Sequence, residues 1–327
     1  MDSNRRLVAI DYVKAAAIIA VVFNHSGVAT ASPLYSSWDF ALRHAWVGFH
    51  VPAFLLVAGF LYSREEPYSV SDVWRRLTRI LIPYFIASAI VFLSPYWLGN
   101  DVASLAHALA FGSALGIYYF VFALTLCILS TWVLSRVSQR TLLALLLLAL
   151  AYVLSLKALP WLRVYSGHFW LIRDPFLNFY FGYFLAGWLA ALNLPALERI
   201  YQRYRLAAWL VFAASIALHF GSLSGWSFPV TPQAIRIAYA LSVVCIIILL
   251  TRSLSLHPIV RTLSDTSLAI YLFHRLFEFA ALPYTLLWHP ALRVLCLALI
   301  GLSASIAFCL VGRRIFGRRW ARTLLGA

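Results

Sequence analysis

Four polar side chains interrupt the first apolar run of the chain: Asp11, Lys14, Asn24 and His25. A charged group in hydrocarbon costs roughly 2.5–3.5 kcal/mol on insertion scales, so such groups mark a cavity, a path or a partner. His25 lies eleven positions after Lys14. At about 100° per residue, that spacing returns to within ~20° of the starting direction, some ~16 Å along a helix. Asp11 falls within ~40° of His25 on the same reckoning. An acid, a base and an imidazole therefore share one stripe. Snorkelling residues at one helix end and an interfacial histidine at the other would give the same composition. A polar face turned to the interior accounts for the shared direction as well.

Other constellations repeat this theme. His50 opens the second apolar run in Phe49-His50-Val51-Pro52. Proline is tolerated in a first helical turn, where its missing N–H has no partner to lose. His50 is then expected at a depth similar to His25, either facing it or at the interface. Arg75, Arg76 and Arg79 precede the third run. Arg75 and Arg79 are one turn apart, which makes a basic face suited to phosphate groups. The same face equally serves as a topological anchor. The ninth run carries His274, Arg275 and Glu278, at spacings of three and four that allow contact on a helix. A structural ion pair and a functional site both fit them. Ahead of the sixth run come Trp161, Arg163, Tyr165, His168, Phe169, Trp170, Arg173 and Asp174. Aromatic faces with an Arg/Asp pair suit a sugar, and an interfacial aromatic belt has the same composition.

The elements that must position these groups follow from composition. Hydrophobic residues make up 63% of the 327 and charged residues 11%, against about 45–50% and 25% in soluble domains. Mean hydropathy is +0.85. Too few charges exist to cover a soluble surface, which excludes a soluble enzyme, a disordered chain and a nucleic-acid-binding protein. Apolar stretches long enough to cross ~30 Å of hydrocarbon fall at 8–28, 46–62, 79–97, 117–134, 141–159, 174–192, 206–222, 234–251, 266–284 and 291–312. The expected fold is all-α: a polytopic membrane protein of about ten transmembrane helices, one integral-membrane domain over residues 1–327. The run from Leu142 to Leu150, nearly pure Leu/Ala, reads as lipid-facing.

The net charge of +15 belongs to this topology. With the N-terminus inside, internal segments carry 18 basic residues and external ones six, which puts both termini in the cytoplasm. Ala29-Thr30-Ala31 has the form of a leader cleavage site, but Asp11 and Lys14 interrupt the preceding apolar region. All four cysteines lie in apolar runs without ligand spacing, so no metal is expected.

Three stretches resemble acyltransferase family 3 of integral membrane proteins. The first is RLVAIDYVKAAAIIAVVFNH, ending at His25, where Lys14 and His25 match the family's basic residue, ten-residue gap and histidine. The second is FHVPAFLLVAGFLY from Phe49, followed by RRLTRILIPYF from Arg75. The third is SDTSLAIYLFH from Ser264 to His274. The FH-x-P form is closest to the branch of fucose and exopolysaccharide O-acetyltransferases. Ala58-Gly59 stands where many relatives have serine-glycine, so no role carries over for that serine.

The resemblance implies transfer of an acyl group, usually acetyl, from cytoplasmic acyl-CoA to a hydroxyl of an extracytoplasmic or lipid-linked glycan. Arg75, Arg76 and Arg79 would hold the phosphates of the acetyl-CoA donor. His25 would act as general base, or less readily as acyl carrier, since an imidazole of pKa near 6.5 suits proton abstraction at neutral pH. Lys14 and Asp11 would position it or the donor, and Asn24 would serve as an oxyanion donor. His50, Tyr271, His274 and Glu278 would line the acceptor cavity, with Trp170, Arg173 and Asp174 at its outer mouth. Two lysines against many arginines fit a GC-rich bacterium, and hence a bacterial inner-membrane location with partners limited to acyl-CoA, glycan acceptor and lipid bilayer. The rival readings are a transporter or flippase, which needs similar intramembrane charges, and a scaffold of a polysaccharide assembly. Against the transporter, the two halves show no inverted repeat and no paired Gly/Pro-broken helices.

Overall fold

A computed structural model describes residues 8–28, 48–94, 106, 109, 114–155 and 179–326. The described residues are mostly helical, without a strand. Each apolar run carries a helix: α1 (Val8–Val28), α2 (His50–Tyr62), α3 (Val70–Phe92), α4 (Tyr119–Leu134), α5 (Gln139–Ser155) and α6 (Tyr180–Leu192). After the short α7 (Leu194–Arg203) come α8 (Arg205–Leu223) and α9 (Pro232–Thr251). The short α10 (Pro258–Asp265) leads into α11 (Ser267–Ala281) and α12 (Pro290–Leu325). Among the described residues, α1, α8, α9 and α12 are each long and apolar enough to cross a bilayer alone, and α6 with α7 forms a pair bent by 87°. Helices α2, α4 and α5 are apolar but shorter.

The chain divides into two compact units. The first comprises residues 1–50, 75–122 and 250–327. In it α1 packs on α10, α11 and α12, and α11 packs on α12. Val13, Ala17, Ile18 and Val22 of α1 recur at near-helical spacing and are buried, as are Ile270, Leu272 and Phe273 of α11 and Leu297 and Ala298 of α12. Two tyrosines tie the approach to α4 onto α11. Tyr118 donates its hydroxyl to the Leu272 carbonyl at 2.7 Å, and Tyr271 donates to the Ile117 carbonyl.

The second unit comprises residues 51–74 and 123–249. Its α2 and α6 cross with their backbones in contact. A Cβ added to Gly59 would overlap the Phe184 carbonyl, and one added to Gly187 would overlap the Leu56 carbonyl. Such small-residue crossings replace the hydrophobic drive that lipid removes. Tyr68 is held on three sides: its hydroxyl donates to the Tyr62 carbonyl at 2.8 Å, Arg136 donates to its carbonyl at 2.9 Å, and Arg64 lies 3.6 Å over its ring. The Ser69 hydroxyl accepts from the Asp72 N–H at 3.1 Å, and the Asp72 carboxylate accepts from the Ser69 N–H at 3.2 Å. This reciprocal cap starts α3. Arg64 and then Ser69 hydrogen-bond the Asp72 carboxylate and pull its pKa down to about 2. As expected for a lipid-facing run, α5 leaves Leu143, Leu147 and Leu148 exposed.

Two helices were not evident in the apolar pattern, α7 and α10. Pro195 in the first turn of α7 lacks the N–H needed to continue α6, so the chain turns there. Leu194, Leu197, Ile200 and Tyr204 stay exposed opposite Glu198, Arg199, Gln202 and Arg203, the two-faced pattern of a helix lying in the headgroup boundary.

Gly59→Ala or Gly187→Ala should each cost about 1–3 kcal/mol through overpacking, read as a lowered midpoint in detergent unfolding. Gly116→Ala is the control, because nothing lies within 4 Å of its added Cβ. Equal stability of all three variants would refute the close crossing.

Candidate active site

The polar residues of α1 divide into two groups, both within the first unit. At the Lys14 end the partner is Ser264, the last turn of α10. Asp11 is buried and accepts the Ser264 hydroxyl. Lys14 donates from Nζ to the Ser264 carbonyl at 2.7 Å, and the Ser267 hydroxyl donates to the same carbonyl at 3.0 Å. One residue is thus held by its side chain and its backbone at the break between α10 and α11. Lys14 and Asp11 fix this junction, about 16 Å along α1 from His25 by helical rise.

At the other end His25 meets α11. Its ring lies 5.5 Å from that of His274, centroid to centroid, tilted by 40°. His50 at the start of α2 lies within electrostatic range of His25, and Asn24 is half-buried beside it. His274 is fully enclosed. Its Nδ1 sits 2.8 Å from the Ile270 carbonyl and 3.0 Å from the Tyr271 carbonyl. Carbonyl oxygens only accept, so Nδ1 carries the proton and Nε2 carries the lone pair. That Nε2 is buried without a hydrogen-bond partner among the described residues. An orphan of this kind costs roughly 1–3 kcal/mol, which favours a ligand or a reacting group opposite it.

An ion pair holds the two histidine-bearing helices in register. Arg275 Nη1 donates to Glu278 Oε2 at 3.0 Å and to the His25 carbonyl at 2.7 Å. Ser26 donates to Glu278 Oε1 at 2.7 Å. Arg275 also stacks over Phe279 at 4.2 Å. Gly301 of α12 makes room for the carboxylate: a Cβ there would stand 3.1 Å from Glu278 Oε1. Both oxygens of Glu278 are engaged, and Tyr271 spends its hydroxyl on the Ile117 carbonyl. Trp170, Arg173 and Asp174 lie outside the described residues.

A cavity of about 1090 Å³ opens in the same unit. Arg75, Thr78, Arg79 and Ile82 of α3 line one side, and Arg261, Thr262 and Asp265 of α10 another. Arg313, Arg318, Arg319, Arg322 and Thr323 of α12 complete it. Seven guanidiniums thus surround one carboxylate. Arg76 is not among the lining residues. In sequence, Arg261, Arg313, Arg318, Arg319 and Arg322 count only among the 18 internal basic residues that set topology. The i, i+4 pair Arg318/Arg322 matches the spacing of Arg75/Arg79 and was the available signal.

The sequence matches the family described as an acyltransferase domain, acyltransferase family 3, over residues 7–314. The chain belongs to acyltransferase family 3. No curated protein matches it, and no solved structure does. Membership with the long apolar helices makes this a multi-pass membrane acyltransferase.

Glu278→Ala should cost about 3–5 kcal/mol, because it strands a buried guanidinium. Thermal unfolding in detergent checks this. Replacing Arg275 and Glu278 together by Met should recover most of the loss, and a Glu278→Ala protein as stable as wild type would contradict the clamp.

Proposed function

We propose that this family member moves an acetyl group from cytoplasmic acetyl-CoA to a hydroxyl of an extracytoplasmic or lipid-linked exopolysaccharide or related cell-surface glycan. It would do so in a bacterial inner membrane, with both termini in the cytoplasm. The observation that supports this best is the pairing, in one group of helices, of the arginine-lined cavity with the enclosed His25–His274 contact. The cavity suits polyphosphate recognition by guanidinium forks. The histidine contact offers an imidazole and a buried lone pair where a thioester and an alcohol can meet.

In this reading the phosphates of the donor rest against Arg75 and Arg79, and the pantetheine arm runs along α1 and α11 toward His25. His25 takes the proton of the acceptor hydroxyl. The oxygen attacks the thioester carbonyl, the new C–O bond forms and the C–S bond breaks. The leaving thiolate then takes the proton from His25. Asn24, next on α1, is the candidate donor to the oxyanion. His274, with Nε2 open, steers His25 or the acceptor. Lys14 and Asp11 act on the donor through the α10–α11 junction rather than by touching His25. His50 stands on the acceptor side, and Trp170, Arg173 and Asp174 are the candidates for gripping the sugar there.

His25→Ala in proteoliposomes should lower glycan acetylation by about 10²–10⁴-fold with the protein still folded, the usual contribution of a general base. Turnover at the wild-type rate would remove the assignment. In wild-type vesicles, acetyl-CoA should be consumed without passage of a solute across the bilayer. Transport without acyl transfer would favour a carrier.

A further inference from the structure

The last helix does not run straight. At Gly317 φ is 75° and ψ is 159°, a region that glycine alone occupies without strain. Gly312 and Leu325 are thirteen residues apart, which in an unbroken helix would separate them by about 19 Å. Instead, a Cβ on Gly312 would overlap Leu325 Cδ1. Residues 318–325 therefore fold back on the helix that precedes them. Ala321 and Leu325 are buried in this return, and Gly326, at φ 73°, ends it against Leu268 at the start of α11. The folded-back segment brings Arg318, Arg319 and Arg322 to the cavity. None of these three has a carboxylate partner among the described residues. The family match ends at residue 314, before the segment begins.

Like charges repel. Arg318 and Arg322 are four apart and Arg319 and Arg322 three apart, so the three guanidiniums crowd one side of a short helix. A glycine-only turn and a buried Leu325 hold them there beside Arg313. The chemistry that relieves such a cluster is a doubly charged phosphate. Two sources present one at a membrane surface: a phosphate-bearing donor in solution and an anionic lipid headgroup. The cavity is concave and shared with α3 and α10, which suits a compact phosphorylated nucleotide better than a lipid lying in its leaflet.

We propose that the fold-back after Gly317 is the part of the donor site that reads the 3′-phosphate of coenzyme A, leaving Arg75 and Arg79 for the diphosphate. This inference rests on the donor reading above. It makes residues 318–322 a specificity element, which discriminates coenzyme A from its dephosphorylated form, and not a catalytic one.

The test uses the full chain in nanodiscs of zwitterionic lipid, with acetyl-CoA and 3′-dephospho-acetyl-CoA as donors and coenzyme A binding measured separately. Wild type should show a KM at least tenfold lower for acetyl-CoA. Combined Arg318→Ala, Arg319→Ala and Arg322→Ala should erase that preference by raising the acetyl-CoA KM, with kcat and the dephospho KM unchanged. Gly317→Ala keeps all three arginines but forbids the turn, and should give the same selective rise. Equal KM values for the two donors in wild type, or an unaltered preference in the triple variant, would overturn the proposal. So would loss of stabilisation by anionic phospholipid in the triple variant with donor KM intact, which assigns the cluster to lipid. If wild type fails to bind coenzyme A at all, the donor reading itself falls; binding that the triple variant keeps at full strength removes the fold-back role alone.

Discussion

A charge buried in hydrocarbon has no water to fall back on, so whatever satisfies it fixes the geometry around it. Here that constraint is the Arg275–Glu278 pair. Water would screen such a pair into insignificance at a surface, where ion pairs contribute around 0–1 kcal/mol. Inside the membrane protein each spare lone pair and proton needs a partner. Glu278 finds Ser26, and Arg275 finds the carbonyl of His25. Both partners lie in the last turn of α1. The last four carbonyls of a helix lack intrahelical donors, and the helix dipole is negative there, so a guanidinium is well received. The histidine contact lies beside this clamp: His274 precedes Arg275 on α11, and its ring stands 5.5 Å from that of His25.

The Lys14 end obeys the same logic with different groups. Ser264 takes Asp11 through its hydroxyl and Lys14 through its carbonyl. The carbonyl lies at the end of α10, where it too lacks a helical donor. So α1 is pinned to the α10–α11 pair at two levels about 16 Å apart by helical rise, with buried apolar side chains of α1 between them. Two polar clamps on one helix make a stiff strut. Stiffness of this kind is what the role proposed for His25 requires, because a catalytic group must stay within about half an ångström of its productive position.

Much of this was legible in sequence, and the limits of legibility have physical causes. Helical periodicity reports direction about one axis, so the common stripe of Asp11, Lys14 and His25 could be read from spacing. The contact of Arg275 with Glu278 could be read the same way, because it is local to one helix. Periodicity does not report which neighbour faces a stripe. The partner of Lys14 is a backbone carbonyl 250 residues away, and every residue has a carbonyl, so no residue type announces it. The bend between α6 and α7 was announced by Pro195, but it falls between the apolar runs 174–192 and 206–222, where hydropathy gives no helix to bend. Gly317 was the hardest. Between arginines it looks like any linker glycine, and its positive φ appears only when the fold-back buries Leu325.

On the donor reading proposed above, that fold-back also separates two explanations of the basic residues that sequence leaves equivalent. Topology asks only that arginines lie on one side of the membrane; it is indifferent to whether they stand apart or converge. Dispersed arginines satisfy it at the lowest electrostatic cost, since each is separately hydrated and screened beyond about 10 Å. Convergence of seven guanidiniums around one cavity raises that cost and needs its own support, which the chain supplies through a glycine-only backbone at Gly317 and the burial of Ala321 and Leu325. A side-selection rule contains no reason to build such support. Recognition of a compact polyanion does, because several guanidinium forks must already point inward when the ligand arrives.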